Sequence, residues 1–194
     1  MTHDPTSERV GDLLTRRAAL RALALGSAGA LAWLAAPRLA TAASVPTRRI
    51  VLHNTHTLES LSVDYCQDGR YFGPALTAVN QVLRDHRNGA VHPIDPALLD
   101  VLHAAAGHCD RDAEFEVISG YRSPESNAAM HARSSGVAAK SLHMEGRAID
   151  VRLVGCDLAR LRDAGLALGG GGVGYYRGSQ FVHLDTGRVR AWVG

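Results

Sequence analysis

The stretch Ser119–Leu153, which reads SGYRSPESNAAMHARSSGVAAKSLHMEGRAIDVRL, places His143 and Asp150 on either side of a glycine. Fully extended, the chain between these two residues could span about 23 Å, at about 3.3 Å per residue. Both side chains can reach one metal ion only if the chain turns back between them. Gly146 permits such a turn because glycine adopts a positive φ at little steric cost. The stretch therefore predicts a glycine turn that brings a histidine and an aspartate together.

A strand is predicted directly after this turn, over residues 148–153, because the side chains there alternate between two faces. Ile149 and Val151 point to one face, and Asp150 points to the other. A carboxylate that is held on a strand between apolar residues is well placed to be a rigid metal ligand.

A third ligand is expected from the segment Gln180–Thr186, which is short, apolar and β-prone and therefore also predicts a strand. If that strand pairs beside the first, His183 joins His143 and Asp150. Two imidazoles and one carboxylate leave a fourth position open for water, which is typical of catalytic zinc. Zinc would lower the pKa of that water and polarise a carbonyl group. From the residues alone this site is a hypothesis, since nine histidines follow residue 42 and most histidines bind no metal.

Four motifs together resemble the zinc peptidases of the M15 type, in the branch that includes periplasmic murein endopeptidases. They are SGYRSP at 119–124, SLHMEGRAID at 141–150, GGVGYY at 171–176 and FVHLDTGRVRAW at 181–192. The resemblance extends from about Arg48 to Trp192. It implies a small α+β fold, an antiparallel sheet with flanking helices, of the kind shared by hedgehog domains and D-alanyl-D-alanine peptidases.

The resemblance also implies roles for particular residues. Zinc would be held by His143, Asp150 and His183, and substrate would be bound by three further residues: Arg122, Asn127 and Tyr175. From its position at the end of a predicted strand alone, Arg122 fits the binding of a peptide carboxylate or of a developing oxyanion as well as it fits a local structural role. The resemblance favours the first, in which Arg122 holds the substrate or the oxyanion of the reaction. The implied reaction is hydrolysis of amide bonds in peptidoglycan crosslinks, with the stem peptides as substrate.

The general base is the weak point of this resemblance. Several members of the family place a glutamate or histidine shortly before the last ligand, but residues 179–182 read Ser-Gln-Phe-Val. Asp185 projects to the same strand face as His183 and is the first candidate for the base. Its alternative role is that of a carboxylate that orients a ligand histidine. Three other residues are weaker candidates: Glu145, His131 and His56.

Two other functions also fit these motifs. One is a D,D-carboxypeptidase or dipeptidase of the same fold, which would trim the ends of stem peptides. The other is a non-catalytic peptidoglycan-binding module with a structural zinc, which the missing acid before His183 would favour.

Residues 1–42 resemble a twin-arginine export signal, and residues 43–194 are predicted to form the peptidase domain. Arg16 and Arg17 precede a long apolar run, and small residues at 40–42 supply a cleavage site. A single membrane-spanning helix that remains as an anchor is the alternative. We expect export to the periplasm and no stable membrane insertion after cleavage.

The charge of the predicted domain is balanced. Of the 21 basic and 19 acidic residues in the chain, five and three lie in residues 1–42, so that 43–194 carries 16 of each. Without a basic stripe, nucleic acid is not an expected partner. The domain is expected to be a monomer. Its three cysteines, at 66, 109 and 156, are too widely spaced for a CxxC metal site; either two of them pair in the oxidising compartment or all three are buried thiols.

Secondary structure is predicted along the rest of the chain from its caps and its periodicity. An N-terminal hairpin precedes a helix that opens at Gly73-Pro74 and ends near Asn88-Gly89. Asp95, Ser123 and Asp157 are expected to cap three further helices. Short strands are predicted at 115–119 and 173–176, and the glycine run at 169–172 predicts a turn rather than a phosphate-binding loop.

Overall fold

A computed structural model describes residues 47–134 and 136–194 of the chain. These residues form eight strands: β1 Arg48–Asn54, β2 Ser60–Gln67, β3 Arg70–Tyr71, β4 Glu114–Ser119, β5 Ala148–Leu153, β6 Gly172–Tyr176, β7 Phe181–Asp185 and β8 Arg190–Val193. They also form four helices, α1 Gly73–Val82, α2 Pro96–His108, α3 Pro124–His131 and α4 Leu158–Leu168, and a short 3-10 helix, Leu142–Glu145. The predicted export signal and its boundary with the domain lie outside the described residues. Within the described part, no helix has both the length and the apolar character needed to span a membrane.

The strands make one sheet in the order β3-β2-β1-β4-β5-β7-β6-β8. Most neighbours are antiparallel, but β1 runs parallel to β4 and β6 runs parallel to β8. The α+β class with flanking helices is confirmed, whereas the expectation of a wholly antiparallel sheet is corrected. Strand β7 lies between β5 and β6, so β8 adds to the free side of β6. Because β6 and β8 both run opposite to β7, they are parallel to each other.

The hydrophobic core lies on one face of this sheet, beneath α1, α2 and α4. The core extends from strand to strand through pairs of apolar residues that are opposite each other, such as Leu52 with Phe115 and Ile149 with Leu184. These side chains have almost no exposed surface, and burying each contributes about 1.5–3 kcal/mol. The alternate residues, among them Asp150, point to the opposite face. The core therefore fixes which face carries the polar site.

Three of the helices begin at the predicted caps. The side chains of Asp95, Ser123 and Asp157 accept hydrogen bonds from backbone N–H groups in the first turns of α2, α3 and α4. Such a cap is worth about 1 kcal/mol. Helix α1 ends at Val82, earlier than predicted, because the buried Asp85 organises the next turn: its backbone N–H donates to Ala90 and its carbonyl accepts from Gly89.

The predicted turn between the two candidate ligands is present. Gly146 ends the 3-10 helix with φ +66°, in the left-handed region that favours glycine. A Cβ atom here would also collide with the carbonyl oxygen of Pro93. Both the backbone conformation and the close approach therefore require a glycine at this position.

The three cysteines, all within the described residues, are free thiols. Burial and a hydrogen bond with the thiol of Cys156 raise the pKa of Cys109 to about 11. Cys66 lies elsewhere, on β2, where its sulfur accepts a hydrogen bond from Arg48 over 2.8 Å. The two thiols that are neighbours, and so the two that could form a disulfide, are therefore Cys109 and Cys156.

Candidate metal centre

Three buried side chains converge on the polar face of the sheet. His143 comes from the 3-10 helix, while Asp150 on β5 and His183 on β7 are directly opposite one another in the antiparallel register. His143 Nε2 lies 3.3 Å from His183 Nδ1 and 3.4 Å from Asp150 Oδ1, and His183 Nδ1 lies 2.9 Å from Asp150 Oδ1. These three residues form a group that could hold a metal ion.

The ring of His143 is fixed by its other nitrogen. Nδ1 lies 2.7 Å from the carbonyl oxygen of Gly120 at the end of β4. A carbonyl oxygen can only accept, so Nδ1 carries the hydrogen and donates it. In the neutral ring this leaves a lone pair on Nε2, the atom that faces the cluster.

The ring of His183 is fixed in the same way by a carboxylate. Its Nε2 donates to Asp185 Oδ2 over 3.0 Å. Burial raises the pKa of Asp185, but hydrogen bonds from His183, from the Arg190 guanidinium and from two glycine N–H groups outweigh burial and hold that pKa well below its usual range. Asp185 is therefore an ionised acceptor, and Nδ1 of His183 presents its lone pair to the cluster.

The donor set fits a small divalent cation. Two nitrogen lone pairs and an ionised carboxylate face one another, an arrangement that positive charge at the centre would stabilise. Burial lowers the pKa of His183, but the adjacent carboxylates of Asp150 and Asp185 outweigh burial and raise it, so that the site favours a positive charge at Nδ1, where a proton in the metal-free protein takes the place of the ion. Ligands that lie about 2.0–2.1 Å from a tetrahedral ion are about 3.3 Å apart. The separations of 2.9–3.4 Å match that spacing.

The surroundings of Asp185 favour one of its two predicted roles. Oδ1 accepts hydrogen bonds from the backbone N–H groups of Gly172 and Gly187, at 2.9 and 2.8 Å. Arg190 donates to both carboxylate oxygens, over 3.1 and 2.6 Å. The side chain is fully buried and lies beyond His183 from Asp150. With its oxygens engaged in this way, Asp185 is suited to orient His183 rather than to take a proton from water.

A cavity of about 510 Å³ opens over the cluster. Its walls carry four cationic side chains and three aromatic rings: Arg87, Arg122, Lys140, Arg190, Tyr176, Phe181 and Trp192. Among the described residues that line it, the only carboxylate is that of Asp150. Arg190 is paired with Asp185, and Arg87 is paired with Asp85. Arg122 and Lys140, which have no carboxylate partner among the described residues, leave the cavity an excess of positive charge that attracts anionic groups.

Arg122 lies in this cavity wall and is poorly satisfied by the protein. It is buried, and Nη1 donates to the amide oxygen of Asn127 over 3.3 Å. Its Nε has no hydrogen-bond partner among the described residues. A buried guanidinium without a carboxylate partner is suited to bind a carboxylate or a developing oxyanion.

The structure places the other two predicted substrate-binding residues away from the cavity surface. Asn127 is buried behind Arg122, and its amide nitrogen donates to the carbonyl oxygens of Ala138 and Ala139. Tyr175 lies on the core face of β6, with the guanidinium of Arg162 4.7 Å from its ring centre. Strand alternation instead turns Tyr176 into the cavity, so Tyr176 lines it and the predicted Tyr175 does not.

The three weaker candidates for the general base differ in whether they line the cavity. Glu145 is paired with Arg147, and His131 bonds to the carbonyl oxygen of Val137; neither lines the cavity. His56 does line it, with its ring stacked on that of His86 at 3.8 Å.

Sequence reasoning missed several cavity residues. The alternation of Gly-Val-Gly-Tyr-Tyr could have placed Tyr176 on the same face as His183, because both belong to strands already predicted. Trp192 and Arg190 could not have been found in this way. They reach the site only because β8 adds to β6, and four residues with one charge give no strong strand signal.

An α+β domain with a buried His–Asp–His group beneath a cavity defines a candidate metallopeptidase. The family profile described as peptidoglycan L,D-endopeptidase MepK matches residues 42–192. A peptidoglycan L,D-endopeptidase MepK of Escherichia coli K12 is 40% identical over 174 residues, which cover 90% of this chain and 93% of that protein. A probable peptidoglycan L,D-endopeptidase MepK of Haemophilus influenzae is 41% identical over 154 residues, which cover 78% and 82%. No solved structure matches the chain.

The chain therefore belongs to this M15-type murein endopeptidase family, and it is a peptidase. The resemblance of its four motifs to the M15-type zinc peptidases is confirmed. Family membership also favours a peptidase over the non-catalytic binding module.

Proposed function

We propose that this chain is a zinc-dependent peptidoglycan endopeptidase that hydrolyses L,D amide bonds in the peptide crosslinks of the bacterial cell wall. Its relatives are named for that activity. The observation that carries the proposal is the convergence of His143 Nε2, His183 Nδ1 and Asp150 Oδ1 in the floor of a cationic cavity.

His143, Asp150 and His183 would hold the ion, and a donor set with two imidazoles suits zinc. When bound, zinc supplies Lewis acidity toward a carbonyl group and lowers the pKa of water. The protein fixes the donors in advance, because Gly120 and Asp185 hold the two rings in the required orientation.

The cavity walls would bind the peptide. Stem peptides carry free carboxylates, and the Arg122 guanidinium lines the cavity without a carboxylate partner among the described residues, so it is suited to bind one of them or the oxygen of the cleaved amide. Lys140 adds positive charge to the wall. We assign proton acceptance from water to His56, because it is the remaining imidazole among the described residues of the wall and imidazole is the side chain most often used for this step.

We further propose that the fold is the one shared by hedgehog domains and D-alanyl-D-alanine peptidases, which the antiparallel core β4-β5-β7-β6 with its His–Asp–His group supports. The protein would act as a periplasmic monomer after export by the twin-arginine route. Cell fractionation tests this: replacing Arg16 and Arg17 by lysine should retain the precursor in the cytoplasm, and unaltered export of that variant would refute the route.

The activity is tested on purified crosslinked muropeptide dimers, one set joined through an L,D bond and one through a D,D bond, with and without a chelator. We expect the L,D-linked dimers to be converted to monomers only when metal is present. Release of terminal D-alanine without loss of dimers would instead identify a carboxypeptidase. Cleavage that persists after complete metal removal would refute the metal-dependent reaction.

A further inference from the structure

The polar face of β6, β7 and β8 brings Tyr176 beside the candidate metal centre. In the antiparallel register Gly174 is opposite His183, and Tyr176 is opposite Phe181. In the parallel register on the other side, Gly174 is opposite Trp192. Because alternate residues share a face, the side chains of Tyr176, His183 and Trp192 all project toward the cavity.

Gly174 makes room for this grouping. A Cβ atom at this position would lie 2.6 Å from the ring of Trp192, too close for any larger residue. The indole therefore lies across the glycine, with its ring centre 5.1 Å from that of His183. From there its Nε1 reaches the hydroxyl oxygen of Tyr176 over 2.9 Å.

The direction of this hydrogen bond determines what Tyr176 can do. An indole nitrogen can only donate, so the phenol oxygen accepts and its own hydrogen remains for another acceptor. Among the described residues none accepts it. The phenol ring is also held in place, because it stacks on Phe181 with centres 4.5 Å apart and planes 21° apart. Tyr176 thus presents a fixed hydroxyl donor in the wall of the cavity.

We propose that the Tyr176 hydroxyl donates this hydrogen to the carbonyl oxygen of the amide bond that is hydrolysed, where negative charge develops; this inference rests on the proposed endopeptidase function. A donor already in position needs no reorganisation as that charge develops. The indole N–H bound to the phenol oxygen polarises the O–H bond and makes it a better donor. Arg122 lines the same cavity from another wall. With Tyr176 bound to the carbonyl oxygen, the partner of Arg122 is the peptide carboxylate.

A purely structural role would make Tyr176 only a support for Trp192. The two roles differ in the kinetic constant that they change. A donor used in the transition state affects kcat, whereas a wall residue that positions substrate affects KM or the stability of the protein. Tyr175 provides a matched control, because it is the adjacent tyrosine on the same strand but lies on the core face.

The experiment compares Tyr176→Phe, Trp192→Phe and Tyr175→Phe with the wild type, on the L,D-linked dimer and with zinc supplied. For Tyr176→Phe we expect kcat to fall about 10²- to 10³-fold and KM to change little. Trp192→Phe, which keeps the phenol but loses its polarising partner, should lower kcat less than Tyr176→Phe does. The metal content of Tyr176→Phe should equal that of the wild type, and its Tm should fall no further than that of Trp192→Phe, because both variants lose the same hydrogen bond. Tyr175→Phe should keep the wild-type kcat.

An unchanged kcat in Tyr176→Phe, or a loss confined to KM, would overturn the role of Tyr176 and leave the proposed function standing. Loss of metal in Tyr176→Phe, or a fall in Tm larger than that of Trp192→Phe, would likewise show a structural role. If the wild type with bound zinc cleaves neither type of dimer, the proposed function fails together with this inference.

Discussion

His183 and Asp185, two residues apart on β7, are joined by a hydrogen bond of 3.0 Å from Nε2 to the carboxylate. The same ring directs Nδ1 toward Asp150, 2.9 Å away. Asp185 thus selects which nitrogen of His183 carries the hydrogen and which one is free to bind an ion. The carboxylate is itself held by Arg190 on β8 and by two backbone N–H groups, so that the orientation of the ligand depends on three segments of the chain.

Replacing Asp185 by asparagine should weaken metal binding. The amide can present its N–H to His183 and so favour the wrong tautomer, and loss of such a partner typically costs 10- to 100-fold in metal affinity. Titration of the metal-free protein with zinc should show a Kd larger by about that factor. Asp157→Asn is the control, since Asp157 caps α4 and does not contact the cluster. An unchanged Kd in Asp185→Asn would show that Asp185 does not orient the ligand.

Replacing Gly146 by alanine should destabilise the fold. The left-handed φ and the collision with the carbonyl of Pro93 must both be accommodated, which we expect to cost about 2–4 kcal/mol. Thermal unfolding should show a clear fall in Tm. Gly178→Ala is the matched change, because a Cβ there meets nothing within 4 Å and φ is not positive. Equal Tm values for the two variants would contradict the account of this turn.

The turn at Gly146 also illustrates how much of the site sequence reasoning could reach. Local chemistry determines turns and caps, so the glycine reversal and the caps at Asp95, Ser123 and Asp157 were predictable. The strands that carry Asp150 and His183 followed from their apolar patterns, and the structure confirms both. Their pairing was only a condition of the predicted site, and the structure shows that the two strands do pair.

Other features depend on contacts between distant segments and could not be predicted. Helix α1 ends before the buried Asp85, whose carboxylate accepts a hydrogen bond from the backbone N–H of Ser123 in a distant part of the chain. β8 is recognised only by its parallel pairing with β6. The choice between Tyr175 and Tyr176 is different, because strand alternation alone puts Tyr176 on the cavity face and Tyr175 on the core face.

Asp85 should make stability depend on pH between about 4 and 2. Burial raises its pKa, but hydrogen bonds from Ser126, Ser123 and Arg87 outweigh burial and lower it from 3.8 to about 2. The folded state therefore favours the carboxylate. Its contribution is complete above the unfolded pKa, near 4, and is lost as the pH falls through the folded value.

The measurement compares denaturant unfolding of the wild type and Asp85→Asn from pH 7 to pH 2. Above pH 4 the variant should be less stable, since an amide replaces one acceptor oxygen, and the pH-dependent part of the gap should be about 1–2 kcal/mol. That part should disappear toward pH 2. The other carboxylates titrate in both proteins and cancel in the difference. A gap that stays constant over the whole range would contradict the lowered pKa.

Replacing His56 by alanine should lower kcat on L,D-linked dimers by about 10²- to 10⁴-fold, which is the usual contribution of a general base. Metal content should not change, because His56 lies outside the cluster. His108→Ala serves as the control, since this exposed histidine at the end of α2 does not line the cavity. Wild-type kcat in His56→Ala would remove it from the reaction.

Elemental analysis of the purified domain tests the shared metal site most directly. We predict about one equivalent of zinc in the wild type and in His108→Ala, and loss of that equivalent in His143→Ala and in Asp150→Ala. A wild-type protein that takes up no metal after incubation with zinc would contradict a metal site shared by these side chains. So would single variants that keep the full equivalent of zinc.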